Sequence, residues 1–98
     1  MHDVSLLLSA LADPTRLAAL RLLRAQGEHC VCELVAALGA TQSRVSRHMA
    51  VLRAAGLVKD RRDAQRVRYR LNPSLPVPVR RLLDAALDLP IDTERIAA

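Results

Sequence analysis

The chain contains two cysteines, Cys30 and Cys32, which are separated by one residue and directly follow His29. Either cysteine alone would be an ordinary small apolar residue of a protein core. Two thiols this close together, beside an imidazole, instead indicate soft-metal binding or redox chemistry, because soft metal ions prefer these ligands. We do not expect a structural disulfide, since the chain is predicted to be cytosolic and a bridge across one residue closes a strained loop.

The position of the two cysteines favours their thiolate forms. They lie at the start of a predicted helix over residues 32–38, where unpaired backbone N–H groups and the helix dipole stabilise an anion and lower the pKa of a thiol. Side chains two residues apart in a regular helix point about 200° from each other. Binding of one ion by both sulfurs therefore requires the first turn of this helix to be irregular or to unwind.

The composition predicts a helical domain around this site. The 98 residues include 18 Leu and 16 Ala, which favour helices, against 9 Val, 2 Ile and an aromatic content of 1%. This length suffices for one domain over residues 1–98, and so short a chain gains core by self-association. No apolar run approaches the ~20 residues of a membrane span, and no signal segment is evident, so we expect a cytoplasmic protein without a membrane partner.

Hydrophobic periodicity divides the chain into helices and one hairpin. Helices are predicted over residues 4–12, 14–25, 32–38, 42–55 and 79–89, and antiparallel strands over residues 57–62 and 66–71 with a turn at 63–65. Asp13 before Pro14 and Thr41 before Gln42 are helix start signals. This order, mainly α with a small β-hairpin, predicts a winged helix-turn-helix with its core at 4–71, a wing at 57–71, a C-terminal helical segment at 76–89 and a loose tail at 90–98.

Positive charge is concentrated in one part of the chain. Residues 41–72 carry nine basic and two acidic residues, a net charge of +7, whereas residues 1–40 and residues 73–98 each carry −1. An ordinary solvated surface is the alternative, but it does not require the charges to gather in one structural unit. A basic block in an otherwise near-neutral chain is typical of an element that binds nucleic acid.

The helix predicted over residues 42–55 is suited to the major groove of DNA. Val45, Met49 and Leu52 form an apolar stripe for the core, and small polar residues beside Arg47 lie on the opposite face, where they permit close approach to the bases. Arginines of the following hairpin would contact phosphates or the minor groove. The candidate DNA contacts are Thr41, Gln42, Ser43, Arg44, Ser46, Arg47, His48, Arg61, Arg62, Arg66 and Arg68.

The helix predicted over residues 32–38, at whose start the cysteines lie, directly precedes this DNA-reading helix. A ligand that distorts the helix over residues 32–38 would therefore shift the reading helix as well. In a dimer such a shift changes the spacing of the two reading helices, which offers a route from ligand binding to DNA release.

Four segments of the chain resemble the ArsR/SmtB family of bacterial metal-responsive repressors. The segments are LADPTRL at residues 11–17, CVCEL at 30–34, QSRVSRH at 42–48 and LRAAGLV at 52–58, and the resemblance extends over roughly residues 5–89. It implies a homodimeric winged helix-turn-helix protein that binds a pseudo-palindromic operator and releases it on binding an inducer. It also implies a dimer contact through the first and last helices, for which the candidates are Leu7, Leu82, Leu83 and Leu87 or their neighbours.

The resemblance is greatest to the arsenic-responsive branch of the family, which binds trivalent arsenic or antimony through a C-V-C-x-L-C segment. Cys30 and Cys32 match the first two thiols, and Val35 occupies the third position. As(III) or Sb(III) is thus the expected inducer, with no organic cofactor. Water, a small thiol or His29 would supply the third donor. The last helix offers Asp84 and Asp88 but no histidine, so a zinc-type site is not expected there.

Two alternatives use the same cysteines differently. A thiol-redox-responsive winged-helix repressor would release DNA when the cysteines are oxidised to a disulfide or persulfide. A dithiol oxidoreductase would need a thioredoxin-like βαβ unit around the thiols, and the chain has neither this pattern nor a cofactor loop. The sequence therefore predicts a DNA-binding protein and not an enzyme.

Overall fold

The computed structural model describes residues 3–90. Its helices are α1 (Val4–Leu11), α2 (Pro14–Gln26), α3 (Val31–Leu38), α4 (Gln42–Ala54) and α5 (Val77–Asp88), and its strands are β1 (His29–Cys30), β2 (Val58–Asp63) and β3 (Arg66–Leu71). Among these helices none is long and apolar enough to span a bilayer. The tail predicted at 90–98 lies outside the described residues except for Pro90.

The helix starts follow from side-chain caps. The carboxylate of Asp13 accepts the Arg16 backbone N–H at 2.9 Å, and the Thr41 hydroxyl accepts that of Arg44 at 3.3 Å. Each bond satisfies a backbone donor that has no partner inside its helix. Both predicted start signals are confirmed, and α2 and α4 end within a residue of their predicted bounds.

A three-stranded antiparallel sheet in the order β1-β3-β2 replaces the predicted two-stranded hairpin. Asp63 pairs with Arg66, so the turn between β2 and β3 has two residues, Ala64 and Gln65, rather than three. Ala64 takes the left-handed conformation at φ 55°, which tight hairpin turns require. The additional strand β1 pairs His29 with Tyr69 and Cys30 with Arg68, which brings the cysteine segment against the wing.

Helices and sheet enclose one hydrophobic core that contains Leu20, Leu34 and Leu57. The predicted stripe of α4 is confirmed, because Val45, Met49 and Leu52 are buried in this core. Hydrophobic transfer of such side chains, about 1.5–3 kcal/mol each, stabilises the arrangement.

The leucines predicted for the dimer contact differ in exposure within the single chain. Leu7, Leu83 and Leu87 are 3%, 1% and 0% exposed, so they stabilise the chain's own core. Leu82 is half-buried. The apolar residues of α1 and α5 that do face outwards are Val4, Leu6, Leu8 and Val77. An amphipathic stripe predicts burial but not whether the burying surface belongs to the same chain.

Candidate functional site

Cys30 lies at a junction between the sheet and α3. It is the last residue of β1 and the N-cap of α3, with an extended backbone at φ −77° and ψ 163°. Because Cys30 is outside the helix, the expected 200° divergence of the two side chains does not apply. The Cα atoms of Cys30 and Cys32 are 5.3 Å apart, and a disulfide joins their sulfurs. The expectation that no disulfide forms was wrong, because the extended backbone of Cys30 brings the two sulfurs together.

The two sulfurs differ in their exposure and in their partners. Cys30 is 1% exposed, whereas Cys32 is exposed. The Glu33 backbone N–H donates to Cys30 Sγ at 3.3 Å, and the Cys30 backbone N–H donates to the Glu33 carboxylate at 2.8 Å. This reciprocal pair is a capping box with cysteine in the place of serine or threonine. The sequence pattern that could have predicted this capping box is a cysteine three positions before a glutamate.

Glu28 connects the segment before the cysteines to the wing. Its carboxylate accepts hydrogen bonds from Arg61 Nε at 2.9 Å and Arg61 Nη2 at 2.7 Å, and from Arg68 Nε at 2.9 Å. The hydrogen bonds from Arg61, and to a smaller extent that from Arg68, lower the pKa of Glu28 to about 2. The Arg68 guanidinium also lies 3.7 Å from the Glu33 carboxylate that caps α3. Strand β2, strand β3 and the start of α3 therefore share one ion-pair network.

The other candidate ligands each have a hydrogen-bond partner. His29 Nδ1 lies 2.8 Å from the Gly27 carbonyl oxygen, and residues 3–90 contain no group of three or more His, Cys, Asp or Glu placed to hold a metal ion. On α5, Asp84 accepts from Arg24 at 3.2 Å and from Arg80 at 3.0 Å. Asp88 accepts from Arg24 at 3.0 Å. The candidate site thus consists of the two sulfurs, and the bond of His29 Nδ1 to Gly27 leaves the Nε2 atom available as a third donor.

The side chains that the sequence predicted as DNA contacts are mostly exposed. The exposed ones are Thr41, Gln42, Ser43, Arg44, Ser46, Arg47, Arg61, Arg62 and Arg66, and the half-buried ones are His48 and Arg68. Those of α4 lie opposite its buried stripe. On the wing, Arg61 and Arg68 are also partners of Glu28, so they position the wing in addition to presenting positive charge.

A basic cavity of about 300 Å³ lies beside α4 and is lined by Arg16, Arg44, Arg47, His48 and Val51. Arg16, which the sequence analysis missed, is held by the carbonyl oxygens of Ala10 at 2.7 Å and Ser9 at 3.1 Å. One of its Nη atoms lies 3.2 Å from His48 Nδ1, so the arginine donates to a neutral ring. Burial lowers the pKa of His48 and so favours the neutral ring.

A groove of about 360 Å³ opens beside Cys32, and its lining is mixed, with Gln65 and Arg66 of the wing at its polar side. Val31 and Val35 of α3 and Val67 of the wing line it, together with Gln42 and Ser46 of α4. The exposed sulfur therefore faces a space shared by the cysteine helix, the DNA-reading helix and the wing.

Comparisons with known proteins agree with this architecture. Residues 13–60 match the family described as bacterial regulatory protein, arsR family. The chain is 49% identical over 78 residues to the arsenic resistance transcriptional regulator ArsR2 of Pseudomonas putida. The aligned region covers 80% of this chain and 68% of that protein. It is 45% identical over 80 residues to the arsenical resistance operon repressor of Escherichia coli, covering 82% and 68%.

A solved structure with the same architecture is the homodimeric winged helix-turn-helix DNA-binding domain of Mb0332 from Mycobacterium bovis. It matches with a TM-score of 0.71 at 35% identity, and the match covers 84% of this chain and 72% of that chain. The predicted winged helix-turn-helix fold is confirmed. The chain therefore belongs to the ArsR family of bacterial regulatory proteins, and like its relatives it is a DNA-binding transcriptional regulator rather than an enzyme.

Proposed function

We propose that this chain is a cytoplasmic repressor that binds operator DNA as a homodimer and releases it when trivalent arsenic or antimony binds Cys30 and Cys32. The observation that carries the proposal is the pairing of the two sulfurs at the junction of β1 and α3. Relatives named for arsenic resistance support the inducer class. The chain acts as one unit, with residues 4–71 reading DNA and residues 76–89 contributing to the dimer.

DNA binding in this proposal combines reading and anchoring. The exposed face of α4, with Gln42, Ser46 and Arg47, enters the major groove, where short polar side chains and arginine contact base edges. The arginines of the wing and the basic cavity beside α4 bind backbone phosphates, which set affinity and salt dependence. Arg16 joins the predicted contacts, since it lines that cavity with Arg44 and Arg47.

Dimerisation in this proposal uses the apolar side chains that the single chain leaves exposed. Val4, Leu6 and Leu8 are 60%, 44% and 52% exposed on α1, and Val77 is 63% exposed at the start of α5. A two-fold dimer presents two copies of α4 to DNA, so the operator is expected to be pseudo-palindromic. The homodimeric domain from Mycobacterium bovis supports this assembly.

The inducer acts on the reduced form of the cysteine pair. Cytosolic thiols reduce the disulfide, and the inducer then bonds to both sulfurs. The inducer bridges the two sulfurs and fixes the position of Cys30 Sγ, which also accepts the Glu33 N–H, so it alters the capping box of α3. Because Glu33 neighbours Arg68, and Arg68 shares Glu28 with Arg61, the change reaches the wing as well as α4.

The experiment measures release of DNA by different ions. Operator duplex is selected from random-sequence DNA by the reduced protein, labelled with fluorescein and followed by anisotropy. Binding should weaken as salt rises, and As(III) or Sb(III) should release the duplex at concentrations where Zn(II) does not. Release by Zn(II) alone, or no release by arsenic or antimony, would contradict the proposed inducer class.

The Cys30–Cys32 disulfide favours a second candidate function, a repressor that responds to thiol oxidation. Formation of this bond transfers two electrons from the dithiol to an oxidant such as peroxide. In the same anisotropy assay, peroxide would release DNA from the reduced protein, and a phosphine reductant would restore binding. This function is supported if peroxide releases DNA and arsenite does not, and it is contradicted if the oxidised and reduced proteins bind the duplex equally.

A further inference from the structure

Arg16 of α2 connects the end of α1 to the middle of α4 through one side chain. Its Nε donates to the carbonyl oxygen of Ala10 at 2.7 Å, and Nη2 donates to that of Ser9 at 3.1 Å. Both carbonyl groups belong to the last turn of α1. The remaining nitrogen, Nη1, lies 3.2 Å from Nδ1 of His48 in α4. A single guanidinium therefore fixes the DNA-reading helix against α1.

The electrostatics of α1 explain why an arginine is held at this place. The last carbonyl groups of a helix lack donors within the helix and carry a partial negative charge. No basic residue occurs in the last turn of α1 itself, so Arg16 supplies the cation from the next helix. The carboxylate of Asp13 accepts the backbone N–H of Arg16 at 2.9 Å. Both the main chain and the guanidinium of Arg16 are thus fixed.

The contact between Arg16 and His48 has a defined direction. An arginine stays protonated and is a donor at every N–H group, so His48 Nδ1 accepts and the ring carries its proton on Nε2. The nearest carboxylate oxygen, Oδ2 of Asp13, is 3.8 Å from Nδ1, which is beyond hydrogen-bond distance. His48 is half-buried, whereas its neighbour Arg47 is exposed. The bond therefore orients α4 from inside the protein.

We propose that Arg16 and His48 are positioning residues that set the distance between the two reading helices of the dimer. The inference rests on the proposed function, in which exposed apolar side chains of α1 hold the dimer together and α4 reads DNA. Because Arg16 fixes α4 to α1, it transmits the geometry of the dimer contact to the spacing of the half-sites. A dimer gains affinity from a second half-site only if both reading helices fit at once.

The substitution Arg16→Lys separates this role from a purely electrostatic one. It keeps the positive charge, but one ammonium group cannot reach three acceptors as the planar guanidinium does. We expect operator binding to weaken roughly tenfold, while binding to a duplex with one half-site stays within about twofold and the salt slope is unchanged. Arg21→Lys is the matched control, since Arg21 is exposed on the same helix, and it should leave both affinities unchanged.

Half-site spacing gives a readout that a general loss of stability does not change. One base pair inserted between the half-sites should weaken wild-type binding roughly tenfold and binding of Arg16→Lys only about twofold. His48→Ala removes the acceptor, leaves the bonds to α1 in place and should lose the same discrimination. His48→Asn retains an acceptor and should restore it. Combining Arg16→Lys with His48→Ala should cost no more than either substitution alone, because both break one contact.

Operator anisotropy of the phosphine-reduced full chain measures these affinities, and sedimentation velocity measures the oligomeric state. Equal spacing discrimination in the wild type and in His48→Ala overturns the positioning role. Equal weakening of the one-half-site and two-half-site duplexes by Arg16→Lys also overturns it, since the arginine then acts within each half-site. A monomeric Arg16→Lys chain overturns it in favour of a role in dimerisation. A selected duplex without two half-sites instead overturns the proposed dimeric repressor, and the positioning role with it.

Discussion

Cys30 and Arg68 face each other across the antiparallel β1–β3 ladder. The buried sulfur of the candidate site and an arginine of the wing therefore belong to one strand pair. Glu33 adds a second connection, because it caps the Cys30 backbone N–H at 2.8 Å and lies 3.7 Å from the Arg68 guanidinium. A change at the sulfur thus has a short path to the wing, through groups in direct contact.

The capping role of Cys30 predicts a difference between two alanine variants of the reduced protein. Cys30→Ala removes the acceptor of the Glu33 N–H and should lower the free energy of unfolding by about 1 kcal/mol, the usual cost of losing an N-cap. Cys30→Ser retains an acceptor and should lose less. Cys32→Ala is the matched control, since Cys32 is exposed and should change stability little. Urea denaturation with a phosphine reductant measures all three, and equal losses in the two alanine variants would argue against the cap.

The Glu28 network predicts a dependence of stability on pH. The arginines lower the pKa of Glu28 from 4.5 to about 2 in the folded chain. The ionised group therefore contributes stability above pH 4.5, and this contribution is lost as the pH falls from 4.5 towards 2. Glu28→Gln should lower the urea midpoint at neutral pH and flatten its fall in acid. High salt provides the control, because it screens exposed ion pairs and should reduce the difference between the two proteins.

The arginines of α4 and the wing should determine the salt dependence of DNA binding. Arg47→Ala and Arg62→Ala each remove an exposed positive charge, so each should weaken operator binding and reduce the slope of log affinity against log salt by up to about 1. Arg21→Ala is the matched control, since Arg21 is exposed on α2 and is not among the predicted DNA contacts. Anisotropy across a salt series gives the slopes. An unchanged slope in both variants would contradict the proposed DNA surface.

The exposed apolar side chains of α1 should hold the dimer together. Leu8→Glu places a charge on a side chain that is 52% exposed in the single chain and should produce monomers without unfolding them, because Leu8 lies outside the core. Leu7→Ala, a variant of a buried neighbour, should instead destabilise the chain by about 2–5 kcal/mol. Sedimentation velocity and thermal denaturation separate the two effects. A dimeric Leu8→Glu protein would place the interface elsewhere.

Local signals in the sequence accounted for the helices and for the DNA-reading face. Asp13 before Pro14 and Thr41 before Gln42 specify helix starts through bonds between near neighbours, and the spacing of Val45, Met49 and Leu52 specifies the buried face of α4. Such features depend on a few adjacent residues. They can therefore be predicted from the sequence without knowledge of the rest of the fold.

The features that escaped prediction depend on contacts between distant segments. β1 consists of His29 and Cys30 alone, too short for an alternating pattern, and it exists because β3 offers a free edge to pair with. The approach of the two sulfurs follows from this pairing, since it holds Cys30 in an extended conformation. Arg16 was missed because its partner His48 is 32 positions away in the chain.

In the proposed mechanism, both sulfurs of the Cys30–Cys32 pair are needed for the inducer to release DNA. The most direct measurement is operator anisotropy of the phosphine-reduced wild-type chain, Cys30→Ser and Cys32→Ser, each titrated with arsenite and with phenylarsine oxide. We expect equal DNA affinity without inducer, release from the wild type, and no release from either variant at roughly a hundred times the wild-type midpoint, about 2.7 kcal/mol of lost coupling. Release of either serine variant at the wild-type midpoint would contradict this mechanism.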